Sequence, residues 1–516
     1  MSRYTLWSTT VLIVGLPLAT ATISPSWADD TAPKIQPQDA ERDAVAVQDS
    51  TALSDEIITL AAENELLASD ALRGHHIRVI VDDGIVTLSG EVPSLLAEEI
   101  AVGLVQRVRG VMTIVDQIEV ERSTQEDASL RLDAAAALAA DPATHKSSVV
   151  VTVQDGVATL TGAVATYGMK VLVENVVSAV HGIMEVQNQI TTAPHDQLSD
   201  EELRQEVTEL LQNSVQLDQI QLTTVVTDGR VVLNGTVTSS FQRSCAEQLA
   251  WRAGAKDVDV RGVVIDWQHA NPELRTTRYE KATDEQIQKA VSRALRYDPR
   301  VLSFAPTVTV NKGVVTLSGI VSQIAASRAA ERAARFTVGV HAVQNNLKVE
   351  WPLETPSDEQ IAEYTLAAIH RDPWLNDEEI IVDCENAHIE LHGIVENEFE
   401  KGHAEWTAIS QKAVVHVDNY LTVRATWVPK SDEQIAAALK DQLDLMFVND
   451  AENVVSSKVV DGVAIIEGSV ETWYLWQAVM DAAVSAGARE PHMMLQVQHG
   501  TPASLRYAGP HSYIAR

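Results

Sequence analysis

The clearest pattern along this chain is a short alternation of side chains with period two. In residues 77–82, Ile77, Val79 and Val81 fall on one side and the intervening residues on the other. Successive side chains of a β-strand point to opposite faces of the sheet, so the alternation predicts a half-buried strand. An Asp-Gly dipeptide follows, which suits a tight hairpin turn, and the returning strand carries Leu88 on the same inward side.

Two helices and a third strand complete the predicted unit. An alanine-rich segment such as 325–336 predicts a helix after the hairpin, and a segment such as 343–349 predicts the last strand. Before each hairpin, Ser or Thr followed three residues later by Glu or Gln predicts a capped helix start. This capping box is clearest at Ser199, Thr283, Ser357 and Ser431. The first unit keeps Ser54 without the full box, and the second, around residues 123–133, is degenerate.

The unit recurs six times, and its glycines mark the copies. A turn is followed by Gly-x-Val-x-Leu-x-Gly, and a third small residue lies twenty positions after the second glycine. Because the second glycine falls inside a strand, we expect a neighbouring group to approach too closely for a side chain. The glycines interpreted as structural are Gly84, Gly90, Gly110, Gly156, Gly162, Gly182, Gly229, Gly235, Gly313, Gly319, Gly339, Gly393, Gly462 and Gly468. Alanine takes the first of the three positions in copy five (Ala387) and the third in copies three, five and six (Ala255, Ala413 and Ala488).

This order of elements predicts an α+β fold of six tandem αββαβ modules. Each module is expected to form a three-stranded sheet with two helices on one face, which is the layered arrangement open to so short a unit. The order of the strands within a sheet stays open. The predicted modules are residues 53–122, 123–194, 197–268, 282–352, 356–428 and 430–499.

The two ends of the chain differ from the modules. Residues 1–28 have the features of an export signal, with Arg3 before an apolar stretch and a small-x-small cleavage site that ends at Ala28. We expect residues 29–52 and 500–516 to be a disordered linker and a disordered tail. No later segment has the roughly 18–20 apolar residues that cross a bilayer, and no cysteine follows the signal to accept a lipid. The sequence therefore predicts an exported protein without a membrane anchor.

The chain is strongly acidic. Its formal charge of −33 becomes −34 once Arg3 is removed with the signal, which disfavours nucleic acid and gives no general attraction to anionic lipid. Two cysteines, Cys245 and Cys384, are too few for a disulfide framework. Both align with hydrophobic positions of other modules, so we expect them to be buried. Stability must then come from packing.

The segment Gly156–Val164, together with Gly182–Asn188, resembles the BON family of bacterial envelope proteins. It closely matches that family's pattern of a hairpin V-x-L-x-G-x-V followed by a helix and G-V-x-x-V-x-N, and the resemblance covers residues 53–499. The resemblance implies a periplasmic protein that attaches to phospholipid membranes or to envelope proteins, often in osmotic or envelope-stress protection. It implies no cofactor and no catalytic residues. The acidity of this chain departs from simple binding to anionic lipid.

Candidate chemistry is sparse. The sequence has no nucleophile elbow, phosphate-binding loop, dinucleotide fingerprint or zinc motif of known spacing, so it predicts a protein that is not an enzyme. The best metal candidate is His388, Glu390 and His392, because residues two and four apart on a strand share a face. The alternative is an ordinary polar outer face, since no further ligand can be assigned.

Aromatic residues suggest a second kind of site. Trp476 occupies a position that is polar in the other five modules, so we expect it to be exposed. Together with Trp473 and Tyr474 it would form a membrane or partner anchor, and the alternative is that the last module uses it to pack its own tail. Three further tryptophans follow the last strands of modules three to five and are expected to wedge between modules: Trp267, Trp351 and Trp427.

Three functions fit these features. The leading hypothesis is a multivalent protein whose repeated weak modules bind a membrane surface or extended envelope partners. The alternative is a chaperone-like holdase for unfolded outer-membrane proteins, using exposed sheet edges and a solubilising negative charge. A structural spacer is the third possibility.

Overall fold

The computed structural model describes residues 53–498, apart from 123, 146, 193–197, 270, 303–305, 351–355, 377, 425–429, 448–453 and 472. The expected export signal, linker and tail lie outside the described residues, as do Trp351 and Trp427.

Each module begins with one helix and has a second helix after its hairpin. The first helices are α1 (Asp55–Ala68), α3 (Asp127–Ala140), α5 (Asp200–Asn213), α8 (Asp284–Arg296), α11 (Asp358–Arg371) and α13 (Asp432–Met446). The second helices are α2 (Leu95–Val105), α4 (Tyr167–Ser178), α6 (Ser240–Arg252), α10 (Ile324–Arg335), α12 (Glu398–Ile409) and α14 (Trp473–Ser485). Helix α7 (Pro272–Lys281) joins modules three and four, and the single turn α9 (Pro299–Leu302) follows α8.

The predicted helix starts are confirmed. Both hydrogen bonds of the capping box are present at Ser199, Thr283, Ser357 and Ser431. Ser54 caps α1 through one side-chain hydrogen bond, and α3 begins after Glu126 without a side-chain cap.

The strands follow the predicted order. The first strands are β1 (Arg78–Asp82), β4 (Val150–Gln154), β9 (Leu222–Thr227), β12 (Thr307–Asn311), β15 (Ile380–Glu385) and β19 (Val454–Val460). The second strands are β2 (Ile85–Val92), β5 (Val157–Thr161) with its continuation β6 (Ala163–Val164), β10 (Arg230–Val237), β13 (Val314–Val321), β16 (His388–Val395) and β20 (Val463–Val470). The third strands are β3 (Thr113–Val120), β7 (Glu185–Asn188) with β8 (Thr191–Thr192), β11 (Asp257–Ile265), β14 (Ala342–Val349), β17 (His416–Asn419) with β18 (Thr422–Val423), and β21 (Glu490–Val497).

The second strand of every module is the middle strand of its sheet. It runs antiparallel to the first strand, from which a tight turn separates it, and parallel to the third. Parallel neighbours need a crossover, and the second helix supplies it. This settles the strand order that the sequence left open and confirms the α+β class.

One face of each sheet is buried beneath the two helices of its module. In β2, Val86, Leu88 and Val92 are fully buried, whereas Ile85 on the opposite face is exposed. Each of modules two to six has its own hydrophobic cluster built in this way. Since a fully buried aliphatic side chain contributes about 1.5–3 kcal/mol, these separate clusters account for the folding of short units without disulfides.

A carboxylate at the start of the first helix holds the hairpin turn in every module. In module three, Asp200 accepts hydrogen bonds from the backbone N–H groups of Asp228 and Gly229, each at 2.8 Å. The same pair of bonds is made by Asp55, Asp127, Asp284, Asp358 and Asp432. Sequence reasoning missed this contact, although an aspartate as the first residue of all six helices was a visible sign of it.

The strand glycines lie against the chain that enters the first strand. A Cβ on Gly393 would stand 2.2 Å from the carbonyl oxygen of Glu379, which no side chain tolerates. Gly393 also has a φ of +137°, a conformation that L-residues rarely adopt.

Candidate binding surfaces

Each module leaves one sheet face uncovered by its own helices, and this open face carries exposed aliphatic side chains. On the first strands these are Ile80, Val150, Val225, Ile381 and Val454, which are 52–63% exposed. Module four has Ile320 of β13 instead, at 45%. Single exposed apolar residues are common on protein surfaces. Here such residues occur on the same face of all six modules, so the chain carries six copies of the open sheet face.

The open face of module five also carries histidines. His388 of β16 pairs in register with His416 of the parallel strand β17, and the two rings stand perpendicular, with centroids 4.4 Å apart. Both Nε2 atoms contact the carboxylate of Asp418, at 3.0 Å from His388 and 3.2 Å from His416. Two imidazoles therefore converge on one carboxylate.

In the structure, the three residues of the predicted metal site take part in two separate groups of contacts. His392 lies 3.4 Å from the carboxylate of Glu390, and its ring stacks on Tyr420 with centroids 5.1 Å apart. His388 turns instead toward His416 and Asp418. Sequence reasoning missed these two residues because they lie 28 and 30 positions further along the chain.

The expectation that Trp476 is exposed is wrong. Its side chain is 5% exposed and lies in the core of module six with Leu439 and Val479. The polar residues at the equivalent position of the other modules are themselves only partly exposed: Glu98, Lys170, Arg243, Ser327 and Lys401. The structure does not describe the side chains of Trp473 and Tyr474.

The modules contact one another mainly through helices. Helix α4 packs on α6 and α9, α5 on α8, α10 on α12, and α3 on α11. Tyr167 of α4 stacks on Trp251 of α6 at 5.5 Å, and the Trp374 indole donates to the carbonyl of Ala71 at 3.2 Å. Trp267 lies beside the Arg109 guanidinium, 5.8 Å from the ring centre, so the contact shown joins modules three and one, and the expected wedge between neighbouring modules stays a prediction.

Helix α7 carries a buried ionic group that ties three parts of the chain together. The Arg275 guanidinium donates to Asp218 of module three at 2.9 Å and to Glu471 of module six. All three residues are 6% exposed or less. Burial raises the pKa of the Asp218 carboxyl, although Arg275 and Arg278 lie against it. Sequence reasoning placed this helix in an interval between modules and therefore missed it.

A cavity of about 290 Å³ opens between the helices of modules two, three and four. Its lining includes Arg252 of α6, Arg300 of α9 and Arg332 of α10. Within the described part of the chain, none of the three has a carboxylate at ion-pair distance. Burial, together with the positive charges of Arg300 and Arg252, lowers the pKa of Arg332 to about 10, although the nearby Asp298 carboxylate opposes the shift. The cavity is thus a local positive region in an acidic protein.

The two cysteines are half-buried and pack against the cores of their modules. The thiol of Cys245 lies 2.9 Å from the side-chain oxygen of Gln216. Burial and the neighbouring Asp358 carboxylate raise the pKa of Cys384 to about 11, which keeps it a thiol at neutral pH.

Among the described helices, none has the length and apolar character needed to cross a membrane.

Six copies of one helix–strand–strand–helix–strand unit define a tandem-repeat protein of small α+β modules. The BON domain profile matches residues 54–122, 126–194, 199–265, 283–350, 357–425 and 431–498. The chain belongs to the BON-domain family.

One curated relative and two solved structures are similar to parts of the chain. Osmotically-inducible protein Y of Escherichia coli (strain K12) is 29% identical over 147 residues, or 27% of this chain and 73% of that protein. Two structures of CdsD, described as a structural protein of the type III secretion system of Chlamydia trachomatis, are 15% and 19% identical. The aligned regions cover 40% and 46% of this chain and 96% of each CdsD chain. The TM-scores of 0.11 and 0.13 are too low to carry an argument.

Proposed function

We propose that this chain is a non-catalytic, multivalent binding protein of the cell envelope. Its BON modules attach to phospholipid membrane or to envelope proteins, in protection against osmotic or envelope stress. The open sheet face carries the proposal, because six copies of it stand on one scaffold of packed helices. Weak sites that are linked in this way gain avidity without strong contacts at any one of them. The similarity to an osmotically inducible protein supports the stress context, and the export signal expected in residues 1–28 supports the periplasm.

The arginine cavity supports a phosphate-bearing partner. A net charge of −33 repels anionic surfaces as a whole, but charges are screened beyond about 10 Å at 0.1 M salt. The cavity lining has more arginines than carboxylates, and among the described residues Arg252, Arg300 and Arg332 make no ion pair there, so the cavity can attract a phosphate group locally.

The test is co-sedimentation of residues 29–516 with vesicles of zwitterionic or anionic lipid, at low and physiological salt. We expect pelleting with vesicles. We also expect its loss when serine replaces one exposed aliphatic residue on each open face: Ile80, Val150, Val225, Ile320, Ile381 and Val454. A matched control replaces exposed leucines of the helices, Leu60, Leu67 and Leu132, which are 59–76% exposed.

Equal loss in both variants would remove the sheet faces from the proposal. If pelleting requires anionic lipid and is lost in Arg332→Gln, the result would support binding of the lipid headgroup in the arginine cavity. A protein that stays in the supernatant under all conditions would reject membrane attachment and leave envelope proteins as the partner.

Holdase activity is the second candidate, and the observation that favours it is the free edge of the outer strands. Each sheet ends in a first and a third strand that pair on one side only within the described modules. An extended client can add a strand to such an edge. Suppression of the aggregation of an unfolded outer-membrane protein, without pelleting on vesicles, would favour this function. A protein that shows neither activity would be consistent with a structural spacer.

A further inference from the structure

The histidine cluster of module five occupies positions that every module has. They are the first residue of the middle strand, its partner on the third strand, and the outward residue two positions further along that third strand. In module five they hold His388, His416 and Asp418. In the other modules the same positions hold Ile85, Thr113 and Val115; Val157, Glu185 and Gln187; Arg230, Asp257 and Asp259; Val314, Ala342 and Gln344; and Val463, Glu490 and His492. Only module five places two imidazoles side by side.

The strand pairing fixes the separation of the ligand groups. His388 and His416 are neighbours in a parallel ladder, and Asp418 lies two residues further along the same outward face. The donor atoms of the three side chains all lie within 4.8 Å of one another. Tetrahedral zinc, with bonds of about 2.0–2.1 Å, needs its donors roughly 3.3 Å apart. Small rotations of these partly exposed side chains close that difference without moving the strands.

We propose that His388, His416 and Asp418 form a binding site for a divalent transition-metal cation of the zinc class on the open face of module five. The site uses one Nε2 atom from each imidazole and one oxygen of the carboxylate, and it leaves a fourth position open to water. The Asp418 carboxylate, which now accepts from both rings, becomes a ligand when the cation enters between them.

The donor set determines the class of cation. Calcium and magnesium prefer oxygen ligands, whereas imidazole suits zinc, copper and nickel. Glu385 lies opposite His388 in the antiparallel hairpin, on the same face of the sheet, and adds negative charge beside the site. Cation binding requires both imidazoles to be deprotonated at the ligating nitrogen, so the affinity falls as the pH is lowered.

The simplest alternative is a surface network in which the two histidines only hydrogen-bond to Asp418. The nearest competing ligand set is His388, Glu390 and His392 on the single strand β16. The two sets share His388 but differ in His416 and His392. This difference provides a matched pair of variants on one sheet face.

The experiment is calorimetric titration of the tag-free full-length chain with ZnCl2 at pH 7.5, after removal of metals with a chelator. We expect saturable binding at this site. His416→Ala and Asp418→Asn should each weaken it about 10-fold or more, since changes even to groups behind the ligands cost 10- to 100-fold. His392→Ala should leave the affinity unchanged. Absence of saturable binding in the parent overturns the proposal, and so does binding that survives His416→Ala but is lost in His392→Ala.

A second measurement identifies the ligands directly. With Cu2+ as the probe, electron paramagnetic resonance should show coupling to two imidazole nitrogens in the parent and to one in His416→Ala. A spectrum without nitrogen coupling, or one that His416→Ala does not change, overturns the assignment. Circular dichroism of each variant establishes that it is folded, which we expect because substitutions of exposed residues usually change stability very little.

Discussion

Modules three and five place different charged groups at the same positions of one fold. On the open face, Arg230 of module three contacts Asp257 at 3.3 Å and Asp259 at 2.8 Å, where module five has two histidines and an aspartate. Hydrogen bonds from Arg261 and Arg230 hold the pKa of Asp259 well below its usual range. Asp257 and Asp259 of module three therefore each have a permanent cationic partner.

The buried ionic groups of the two modules differ in the same way as those of the open face. Module three is tied through the buried guanidinium of Arg275, whereas in module five His403 lies 2.6 Å from Asp372, with both side chains buried. Guanidinium groups stay charged at all accessible pH values, but imidazoles change charge in the physiological range and bind metals. Module three thus uses its ionic groups as fixed structural contacts, whereas module five places imidazoles, which can bind metals, beside its carboxylates.

The largest effect is expected from removing Arg275, the buried cation of helix α7 that holds Asp218 of module three. Arg275→Met leaves Asp218 and Glu471 buried without their partner, which typically costs about 3–5 kcal/mol. Urea denaturation followed by circular dichroism should show this loss in the free energy of unfolding. Arg261→Met is the control, because Arg261 is 84% exposed and the loss of its surface pair with Asp259 should leave the free energy of unfolding almost unchanged. Equal losses in the two variants would contradict the structural role of Arg275.

The second effect concerns a buried acid that module five has and module three lacks. Glu400 accepts a hydrogen bond from the backbone N–H of Glu396, as Gln242 does from Thr238 at the equivalent position. Burial raises the pKa of Glu400 to about 7, and the nearby carboxylates Glu378 and Glu396 add to the rise.

A raised folded-state pKa makes ionisation harder in the folded than in the unfolded chain. The contribution of Glu400 to the free energy of unfolding therefore falls as the pH rises from about 4.5 to about 7, and it is constant outside that window. We expect Glu400→Gln to remove this dependence and to stabilise the protein at pH 8 by up to about 3 kcal/mol, since one pKa unit corresponds to about 1.4 kcal/mol. The difference between the unfolding curves of parent and variant at several pH values isolates it. A difference that stays constant with pH would contradict the assignment.

The third effect lies in the hairpin turns. Module three has Gly229 with a φ of +79°, whereas module five has Ala387 with a φ of +61°. A residue with a Cβ is disfavoured in this region by about 1–2 kcal/mol, part of which glycine loses again through its freer unfolded chain. We expect Ala387→Gly to stabilise the protein by about 0.5–1 kcal/mol and Gly229→Ala to destabilise it by a similar amount. Thermal denaturation of the two variants checks both signs, and a shift in the same direction for both would contradict the explanation.

Sequence patterns predicted the modules because their signals are local. The period-two alternation, the turn dipeptides and the capping boxes each act within a few residues. The strand order, the partner of His388 and the role of Arg275 depend on groups that are 28 to 196 residues apart. Trp476 was misplaced because the polar residues at the equivalent position are themselves partly buried, so their polarity did not indicate an exposed position.

The smallest change in stability should come from exchanging the open-face groups themselves. Arg230→His with Asp257→His gives module three the histidine pair of module five beside Asp259, and it removes only the ion pairs of Arg230, which is half exposed, so these should contribute about 0–1 kcal/mol. The strand register of Arg230 with Asp257 is the same as that of His388 with His416, so the new imidazoles should lie side by side.

If register and donor type are sufficient, calorimetry should find one more bound Zn2+ than in the parent, with the melting temperature nearly unchanged. The irregularity in β11 between Asp259 and Gly262 lies beyond these positions and should not disturb them. An unchanged zinc stoichiometry would mean that the open face of module five supplies something besides these three side chains, with Glu385 as the first residue to transfer.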